Sequence, residues 1–482
     1  MKIKSIWSLL AVPAALFLLV GRADCLSVQK EEELGREFMK VVFERYHVIE
    51  DPLITDYVEK VGRHIVSVFP NRVFNYQFYV LKEPVYNAFA APAGHVFINS
   101  GLFEAMDSEE ELAGILAHEI AHVECRHISQ KIERSSKISM LTLAGLAAGI
   151  FLGAGGADTA ASALTIGSMA AGQSLELSYS REDEMEADQL GLTYLYKAGY
   201  SAAGLLDMLK KIRQTEWFGT DIIPTYLRTH PASEDRIAYI GTRLDTADPP
   251  SAKKPTTETE FQIAHTRLTA VYGDADTAVN RFTTMLEKNP GDPQAHYGLA
   301  LVFDRKGNRR LAQAHLKKAL ASNPLNPYFL SDLGRIYFLN GQYQDALTIL
   351  KDSVYVVPDN YTGLFFLGRS ELELEEYEKA VDAFEQLIRK KPDYEKAHYF
   401  LGQAYGKMGR LADAHYHLGC YYKDRGEARN ATFHFERAAK KTEDPEKREE
   451  IGKILDEMHT SAEKAGAPMV NVNGHPKRFG PE

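Results

Sequence analysis

Residues 117–123 read Ala-His-Glu-Ile-Ala-His-Val and contain the pattern His-Glu-x-x-His, whose residue types suit metal chemistry. On a helix, His118 and His122 share one face, four residues apart, so both imidazoles can reach one Zn²⁺. Glu119 lies beside that face, where its carboxylate can take a proton from water that the metal activates. The pattern therefore predicts one Zn²⁺ per chain, used to activate water.

The element that must position these residues is a helix beginning near Ser108. Ser108 and Glu111 have the spacing of an N-terminal capping box, and apolar residues follow at helical spacing. Burying two histidines and a glutamate beside an apolar surface costs free energy unless their polar atoms are satisfied. A metal ion would satisfy them. The alternative, an ordinary helix with two surface histidines, leaves the apolar surroundings unexplained.

A second helix, predicted from about Leu175 onward, supplies candidates for a third ligand. Glu184 and Asp188 are four residues apart and point the same way. A catalytic zinc takes three protein ligands and leaves one position for water. The alternative is a solvated acidic helix face, which the other acidic residues of this segment suit well.

His230 is a further candidate, in the run Arg-Thr-His-Pro at 228–231. One interpretation is a loop histidine that precedes a helix. The other is that His230 approaches the open zinc position. There it either stabilises the oxyanion of the reaction or coordinates the metal and displaces water. The sequence leaves these alternatives open.

Composition and cysteine count limit the class of protein. The 482 residues predict two or three domains, and a net charge of -10 without a long basic patch argues against a nucleic-acid partner. Cys25, Cys125 and Cys420 are too few for a disulfide framework. Cys125 lies three residues after His122, so it is a possible but less favoured metal ligand.

Residues 1–23 read as a secretory signal peptide, with lysines at the start, an apolar run and small residues before a cleavage point after Ala23. The apolar run is too short for a comfortable membrane span. Cys25 raises lipid attachment as an alternative, which the preceding aspartate disfavours. An uncleaved N-terminal anchor is the other alternative.

Two segments flank the metal helix. Residues 76–81 and 95–99 are predicted strands joined by a Pro/Gly turn at 87–94. The strand just ahead of the metal helix can serve as an edge to which a peptide adds, or it belongs to a plain hairpin that supports the helix. Residues 139–171 are rich in small and apolar residues. We expect two short helices over the site there, with peripheral membrane contact as the alternative.

Beyond a proline-rich linker, the sequence repeats every 34 residues, which is the tetratricopeptide period. The repeated positions are Pro290, Pro324, Pro358 and Pro392, then Leu299, Leu333, Leu367 and Leu401, and Gly334, Gly368 and Gly402. Such arrays curve and offer a concave face to peptides and partner proteins.

The predicted fold is mostly α with some α+β character: a helical zincin-type metalloprotease domain with a small β-sheet, followed by an α-solenoid of tetratricopeptide repeats. The predicted boundaries are a signal peptide at 1–23, the zinc metalloprotease domain at 24–248, the linker at 249–259, the repeats at 260–441, and a capping helix and tail at 442–482.

Together these motifs resemble the HtpX and prenyl-protein protease family of zinc metallopeptidases, in particular its periplasmic, tetratricopeptide-bearing branch of β-barrel assembly-enhancing proteases. In that family the Glu of a Glu-x-x-Ala-Asp string is the third ligand, which maps onto Glu184. Its Asp maps onto Asp188, which positions a ligand or donates a proton.

The resemblance implies a zinc-dependent endopeptidase of the bacterial periplasm, associated with the outer membrane. Its expected work is quality control and assembly of outer-membrane proteins. The expected partners are protein and peptide substrates, with the outer-membrane assembly machinery bound through the repeats. The competing hypothesis is a chaperone or scaffold that acts mainly through its repeats, with little proteolysis.

Overall fold

The computed structural model describes residues 27–70, 72–134, 179–217, 225–231, 234–246 and 254–464. Four of the predicted features lie outside the described residues. They are the signal peptide at 1–23, Cys25, the apolar segment at 139–171 and the end of the tail from 465 onward.

The chain divides into two compact units, one ending at Ala278 and the other beginning at Val279. The described helices of the first unit are α1 (Val28–Arg45), α2 (Pro52–Ser67), α3 (Ser100–Glu104), α4 (Glu109–Glu124), α5 (His127–Arg134), α6 (Arg181–Ala198), α7 (Ala203–Trp217), α8 (Thr225–Thr229), α9 (Glu234–Thr246) and α10 (Glu258–Tyr272), with α11 (Ala275–Lys288) crossing the division. Its strands are β1 (Gln77–Leu81), β2 (Ala88–Ala91) and β3 (His95–Asn99).

The three strands form one sheet in the order β1-β3-β2. β1 and β3 pair in parallel, and β2 returns antiparallel to β3, with Phe89 opposite Phe97. The prediction of a turn over 87–94 was therefore wrong for Ala88–Ala91, which form a strand. Only Pro92–Gly94 turns, and this turn lets β3 reverse direction onto its neighbour. β3, the strand just ahead of α4, is therefore the central strand and not the predicted edge, and its parallel pairing with β1 excludes the alternative hairpin. The edge strand that packs against α4 is β2.

α4 is the central helix of the first unit and packs against α2, α6 and α7. Glycines permit close crossings of α4 with α7 and with α6. A Cβ on Gly114 would lie 2.5 Å from the backbone nitrogen of Leu205 in α7, and one on Gly191 of α6 would lie 3.2 Å from the carbonyl oxygen of Ala117. These close approaches bring the acidic face of α6 beside the second half of α4.

Two helix starts differ in detail from the predictions. Ser108 caps α4 as expected, but Glu111 accepts from the backbone N–H of Asp107 (2.7 Å), so the predicted capping box is not formed. Its other contact is an ion pair with Lys211 of α7, which competes for the same carboxylate. α6 begins at Arg181 with Ser180 as its N-cap, later than the predicted start near Leu175.

The second unit is a series of antiparallel helix pairs. Its helices are α12 (Pro293–Arg305), α13 (Arg309–Ser322), α14 (Pro327–Leu339), α15 (Tyr343–Val356), α16 (Tyr361–Glu373), α17 (Tyr377–Lys390), α18 (Glu395–Lys407), α19 (Leu411–Asp424), α20 (Ala428–Lys441) and α21 (Pro445–Lys464). The 34-residue glycines lie where the paired helices cross. A Cβ on Gly368 would lie 2.9 Å from the Phe384 ring, and one on Gly402 would lie 3.0 Å from Leu418.

The predicted mostly α architecture, with a small sheet followed by tetratricopeptide helices, is confirmed. α10 falls within the predicted repeat domain and packs against α2 and α3 of the first unit. Among the described residues, no helix has both the length and the apolar content needed to cross a membrane.

Candidate metal centre

Three side chains from two helices converge beside the buried face of α4. Nε2 of His118 and Nε2 of His122 lie 3.1 Å apart, and each lies 3.4 Å from an oxygen of Glu184 on α6. All three residues are buried. A tetrahedral zinc site with bonds of 2.0–2.1 Å has ligand atoms roughly 3.3–3.4 Å apart. The two histidine nitrogens are thus spaced much like two ligands of one ion, and the Glu184 carboxylate faces both rings, with Oε2 toward His118 and Oε1 toward His122.

Asp188 and Arg236 hold the outer side of this cluster. Nδ1 of His118 lies 3.0 Å from Oδ1 of Asp188, which leaves Nε2 free to face Glu184. Arg236 of α9 donates to Asp188 through Nε (2.7 Å) and Nη2 (2.8 Å), and its Nη1 forms an ion pair with Glu184. All of these groups are buried. The arrangement orients the His118 ring and neutralises part of the carboxylate charge.

Glu119 lies beside the donor atoms without joining them. Its two carboxylate oxygens are buried, and neither has a hydrogen-bond partner among the described residues. The nearest cationic candidate is Nε2 of His230, 3.6 Å from Oε1. Burial raises the pKa of Glu119, against the lowering effect of His230 and His118. A buried carboxyl group with a raised pKa and no hydrogen-bond partner among the described residues is suited to accepting and releasing a proton.

His230 closes the fourth side of the cluster. Its Nδ1 lies 3.0 Å from Oε1 of Glu184, and its donor atoms lie within 4.8 Å of those of His118, His122 and Glu184. Tyr226 stacks on the His230 ring with centroids 4.6 Å apart, and Tyr179 stacks on the His122 ring at 3.8 Å. The short helix α8 ends at Thr229, which places His230 directly over the metal face of α4.

The charges of the centre favour a cation. Three carboxylates face one guanidinium, that of Arg236. Burial alone would lower the pKa of His118, but its contacts with Asp188 and Glu184 raise it to about 9. Burial would likewise raise the pKa of Glu184, yet His230 and Arg236 hold it well below its usual value. The site thus keeps Glu184 ionised and stabilises positive charge next to Nε2 of His118, as a site for a divalent cation must.

His127 was not singled out from the sequence. It begins α5, and its Nδ1 lies 2.8 Å from Nδ1 of His122, on the side opposite the metal face. Its Nε2 lies 3.3 Å from Oε2 of Glu186. The only signal in the sequence was its position five residues after His122. From there a short loop can turn the chain back so that His127 contacts His122. Arg236 and Tyr179 had no local signal, because their contacts are made across different helices.

The sequence-predicted residues are mostly brought together. His118, His122, Glu184 and His230 form one cluster, with Glu119 and Asp188 in contact with it. Cys125 is not part of this cluster. It lies with His127 and Glu186 in a separate group of potential donors. The interpretation of His230 as an ordinary loop histidine does not account for its burial within the cluster.

Comparison with known families settles what kind of domain holds this cluster. Residues 52–244 match the profile of peptidase family M48. The first unit carries an M48 peptidase domain. Residues 273–308, 300–361 and 368–409 of the same chain match tetratricopeptide repeat profiles. The resemblance to a repeat-bearing metallopeptidase family is therefore confirmed, and so is the expectation that the chain carries a metallopeptidase domain.

Three named proteases are similar to this chain over different lengths. The putative beta-barrel assembly-enhancing protease of Vibrio cholerae is 30% identical over 309 residues, which cover 63% of this chain and 63% of that protein. The beta-barrel assembly-enhancing protease of Escherichia coli K12 is 26% identical over 397 residues, covering 74% of this chain and 80% of that protein. Mitochondrial metalloendopeptidase OMA1 of Schizosaccharomyces pombe is 27% identical over 222 residues, covering 45% of this chain and 62% of that protein. This chain thus spans somewhat less than two thirds of the Vibrio relative's length.

Proposed function

We propose that this chain is a zinc metalloendopeptidase of the bacterial periplasm that acts on outer-membrane proteins and assists their assembly. The observation that carries the enzymatic part is the set of donor separations. Nε2 of His118 and Nε2 of His122 lie 3.1 Å apart, each lies 3.4 Å from a different oxygen of Glu184, and the carboxylate of Glu119 lies beside them. Two histidines and one glutamate are the ligand set of known zinc peptidases.

His118, His122 and Glu184 would hold the ion. Zn²⁺ bound there supplies a Lewis acid that activates water and polarises a carbonyl group. The protein's own part is to aim the Nε2 atoms of both rings at the ion, and the proton that the raised pKa keeps on His118 would leave when the ion binds. The contact of His118 with Asp188 and that of His122 with His127 both engage Nδ1, which leaves Nε2 of each ring for the ion. Such outer contacts fix ring orientation and tautomer.

Glu119 is proposed as the general base. It follows His118 by one residue, so its side chain leaves α4 beside the ligand face and not on it. Its buried oxygens without hydrogen-bond partners are available to take a proton from water and to pass it to the leaving amine. Asp188 is proposed as a positioning residue for His118. Burial would raise the pKa of Asp188, but hydrogen bonds from Arg236 and His118 lower it, which disfavours the alternative role of proton donor.

The described state is proposed to be a closed one. His118, Glu119, His122, Glu184 and His230 are each at most 1% exposed, so a peptide cannot reach them without movement. His230 lies against both the proposed base and the proposed third ligand. Of the two active roles considered for His230, blocking the centre therefore has more support than stabilising an oxyanion. Displacement of His230 with Tyr226 would open the site.

β2 is the proposed docking edge for the substrate. The backbone N–H of Asn99 donates to the carbonyl oxygen of Asn87 (2.9 Å). From this pair onward, residues of β2 that are hydrogen-bonded to β3 alternate with residues that are not. Ala88 and Ala90 accordingly direct their backbone groups away from β3. All four residues of β2 are buried in the described state, so an extended peptide can add to these groups and run past α4 once the site has opened. Unfolded outer-membrane β-strands are extended segments of this kind, which supports the proposed substrate class.

The repeats are proposed to bind substrates or the outer-membrane assembly machinery. On α16, the guanidinium of Arg369 lies 4.4 Å from the ring centroids of both Phe338 on α14 and Phe400 on α18. Stacking between two rings preorganises this cation, which has no ion-pair partner among the described residues. It offers a carboxylate of a partner a charged contact. The scaffold alternative would place the whole function here.

Glu119→Gln tests the enzymatic proposal. The mature protein should keep one zinc per chain and lose casein cleavage by a factor on the order of 10² or more, because the amide cannot accept the proton. The control is Glu182→Gln, the same change at an exposed position on α6. A zinc-loaded Glu119→Gln protein with normal cleavage would refute the assignment. If Glu119→Gln cells assemble outer-membrane proteins normally while Arg369→Leu cells do not, the scaffold function is the correct one.

Periplasmic location and membrane contact have their own test. Osmotic release of the protein, with N-terminal sequencing, should find a chain that begins after Ala23. Removal of residues 139–171 should abolish any co-sedimentation with vesicles of outer-membrane lipid. Retention in the cytoplasm with an intact N-terminus would overturn the periplasmic assignment.

A further inference from the structure

Cys125, His127 and Glu186 form a second group of potential metal donors beside the candidate metal centre. One donor atom from each lies within 4.8 Å of the others. Sulfur, imidazole nitrogen and carboxylate oxygen together suit a soft or borderline divalent cation such as Zn²⁺ or Cd²⁺. We propose that these three residues form a second, inhibitory cation site, which competes with metal binding at His118, His122 and Glu184.

The surroundings of the group favour positive charge. Cys125 caps the C-terminal end of α4, where the helix dipole is negative. Burial and the nearby Glu186 raise the pKa of the Cys125 thiol to about 12, so it stays protonated when no cation is bound. Binding a cation would release the thiol proton to solvent and leave a metal-bound thiolate. Glu186 is largely exposed, so the site is open to ions from solution.

The competition follows from where the ring protons must lie. If His122 binds metal through Nε2, its Nδ1 carries the proton and donates to Nδ1 of His127, 2.8 Å away. The proton of neutral His127 then lies on Nε2 and points toward Glu186 (3.3 Å). In this state His127 has no lone pair to offer a second cation.

The opposite arrangement is equally constrained. A cation at Cys125 and Glu186 needs the lone pair on Nε2 of His127, which places the His127 proton on Nδ1. That proton must be donated to Nδ1 of His122, so the His122 proton moves to Nε2, the atom that faces Glu184. Both rings are buried, so neither can turn away without leaving polar atoms unsatisfied. Each cation therefore weakens the binding of the other, and the effect is reciprocal.

This inference rests on the proposed zinc site at His118, His122 and Glu184, and the experiment separates the two. Full mature protein carrying Cys25→Ser, so that only the two described thiols remain, is loaded with one equivalent of Zn²⁺ and titrated with Cd²⁺. Cations per chain are measured by elemental analysis, the thiolate-to-cadmium charge-transfer band by near-ultraviolet absorption, and peptidase activity on casein. The variants are Cys125→Ser and Cys420→Ser, the latter a matched control at the other half-buried thiol.

The Cys420→Ser protein should bind Cd²⁺ with a charge-transfer band, and its zinc affinity should fall by roughly 5- to 150-fold as that site fills, with parallel loss of activity. Cys125→Ser should show no band and should keep its zinc. A band that persists in Cys125→Ser, or no band in Cys420→Ser, would overturn the site. Saturation of the band without any loss of zinc affinity would overturn the competition. Failure of the proposed function would look different, since no zinc would then be bound at His118, His122 and Glu184 before cadmium is added.

Discussion

The substitution Asp188→Asn tests the contacts that hold His118 and Arg236 at the metal centre, and it changes the size of the side chain very little. In the folded protein, Oδ1 of Asp188 lies 3.0 Å from Nδ1 of His118, and the carboxylate accepts two hydrogen bonds from Arg236 at 2.7 and 2.8 Å. An asparagine keeps one oxygen that can accept a hydrogen bond. Its NH₂ group takes the place of the other oxygen and so faces a donor of His118 or Arg236, with which it cannot form a hydrogen bond. The negative charge is lost, while Arg236 keeps its ion pair with Glu184 and its hydrogen bond to the carbonyl oxygen of Pro231.

The size of the effect follows from burial. Removing one partner of a buried ion pair costs about 3–5 kcal/mol. In a domain of this size about 1 kcal/mol shifts the melting temperature by about 2–4 °C, so the metal-depleted protein should melt about 6–20 °C lower. Loss of the contact that orients a ligand histidine typically weakens metal binding or activity by about 10- to 100-fold. Zinc affinity is measured by competition with a chelator, and melting by circular dichroism after metal removal.

Asp207→Asn is the matched control, because Asp207 is exposed on α7. It should alter stability by no more than about 0.5 kcal/mol and leave zinc affinity unchanged. Asp188 also makes a definite pH prediction. Because its pKa is lowered in the folded state, its stabilising effect is present above the usual pKa of an aspartate and is lost as pH falls through the folded value. An Asp188→Asn protein that matches Asp207→Asn in both melting and zinc affinity would refute this account of the centre.

Three further predictions address the metal, the closed state and the repeats. His122→Ala should lose both zinc and activity, and full zinc occupancy after this change would show that the ligand assignment is wrong. His230→Ala should raise the cleavage rate on a short peptide if His230 holds the centre closed; a lower rate would indicate oxyanion stabilisation, and an unchanged rate an ordinary loop histidine. The melting temperature of the repeats should fall as pH falls from about 6.5 toward 4. In this range the unfolded chain binds protons on histidines whose pKa is too low in the folded state for them to be protonated. Replacing these histidines with glutamine should flatten that dependence, and a melting temperature insensitive to pH in the unchanged protein would contradict it. Burial lowers the pKa of His315 and His398 to about 4 and that of His417 to about 3. The histidines concerned form three pairs whose Nδ1 atoms lie 3.0 Å apart: His296–His315, His398–His417 and His415–His434.

Local spacing was sufficient for the main features that lie within one helix or one repeat, but not for the capping box at Ser108 or the first residue of α6. It predicted the helix that carries His118 and His122, and the 34-residue period that places glycines at helix crossings. It failed at Ala88–Ala91, where residues assigned to the turn because they precede Pro92 and Gly94 form the edge strand instead. A strand of this length is stabilised by pairing with β3 and packing on α4, and neither contact is visible in four residues.

The tertiary structure alone decided which distant residues surround the metal face. Glu184 was one of several acidic residues on its helix until the crossing at Gly191 brought that helix against α4. Arg236, 48 residues after Asp188, completes the buried network by reaching it from another helix. His127 turns back onto His122 because the chain reverses at Arg126, whose φ is 56°. The backbone fixes spacing within an element, whereas contacts between elements depend on how their whole surfaces pack, which no short stretch of sequence encodes.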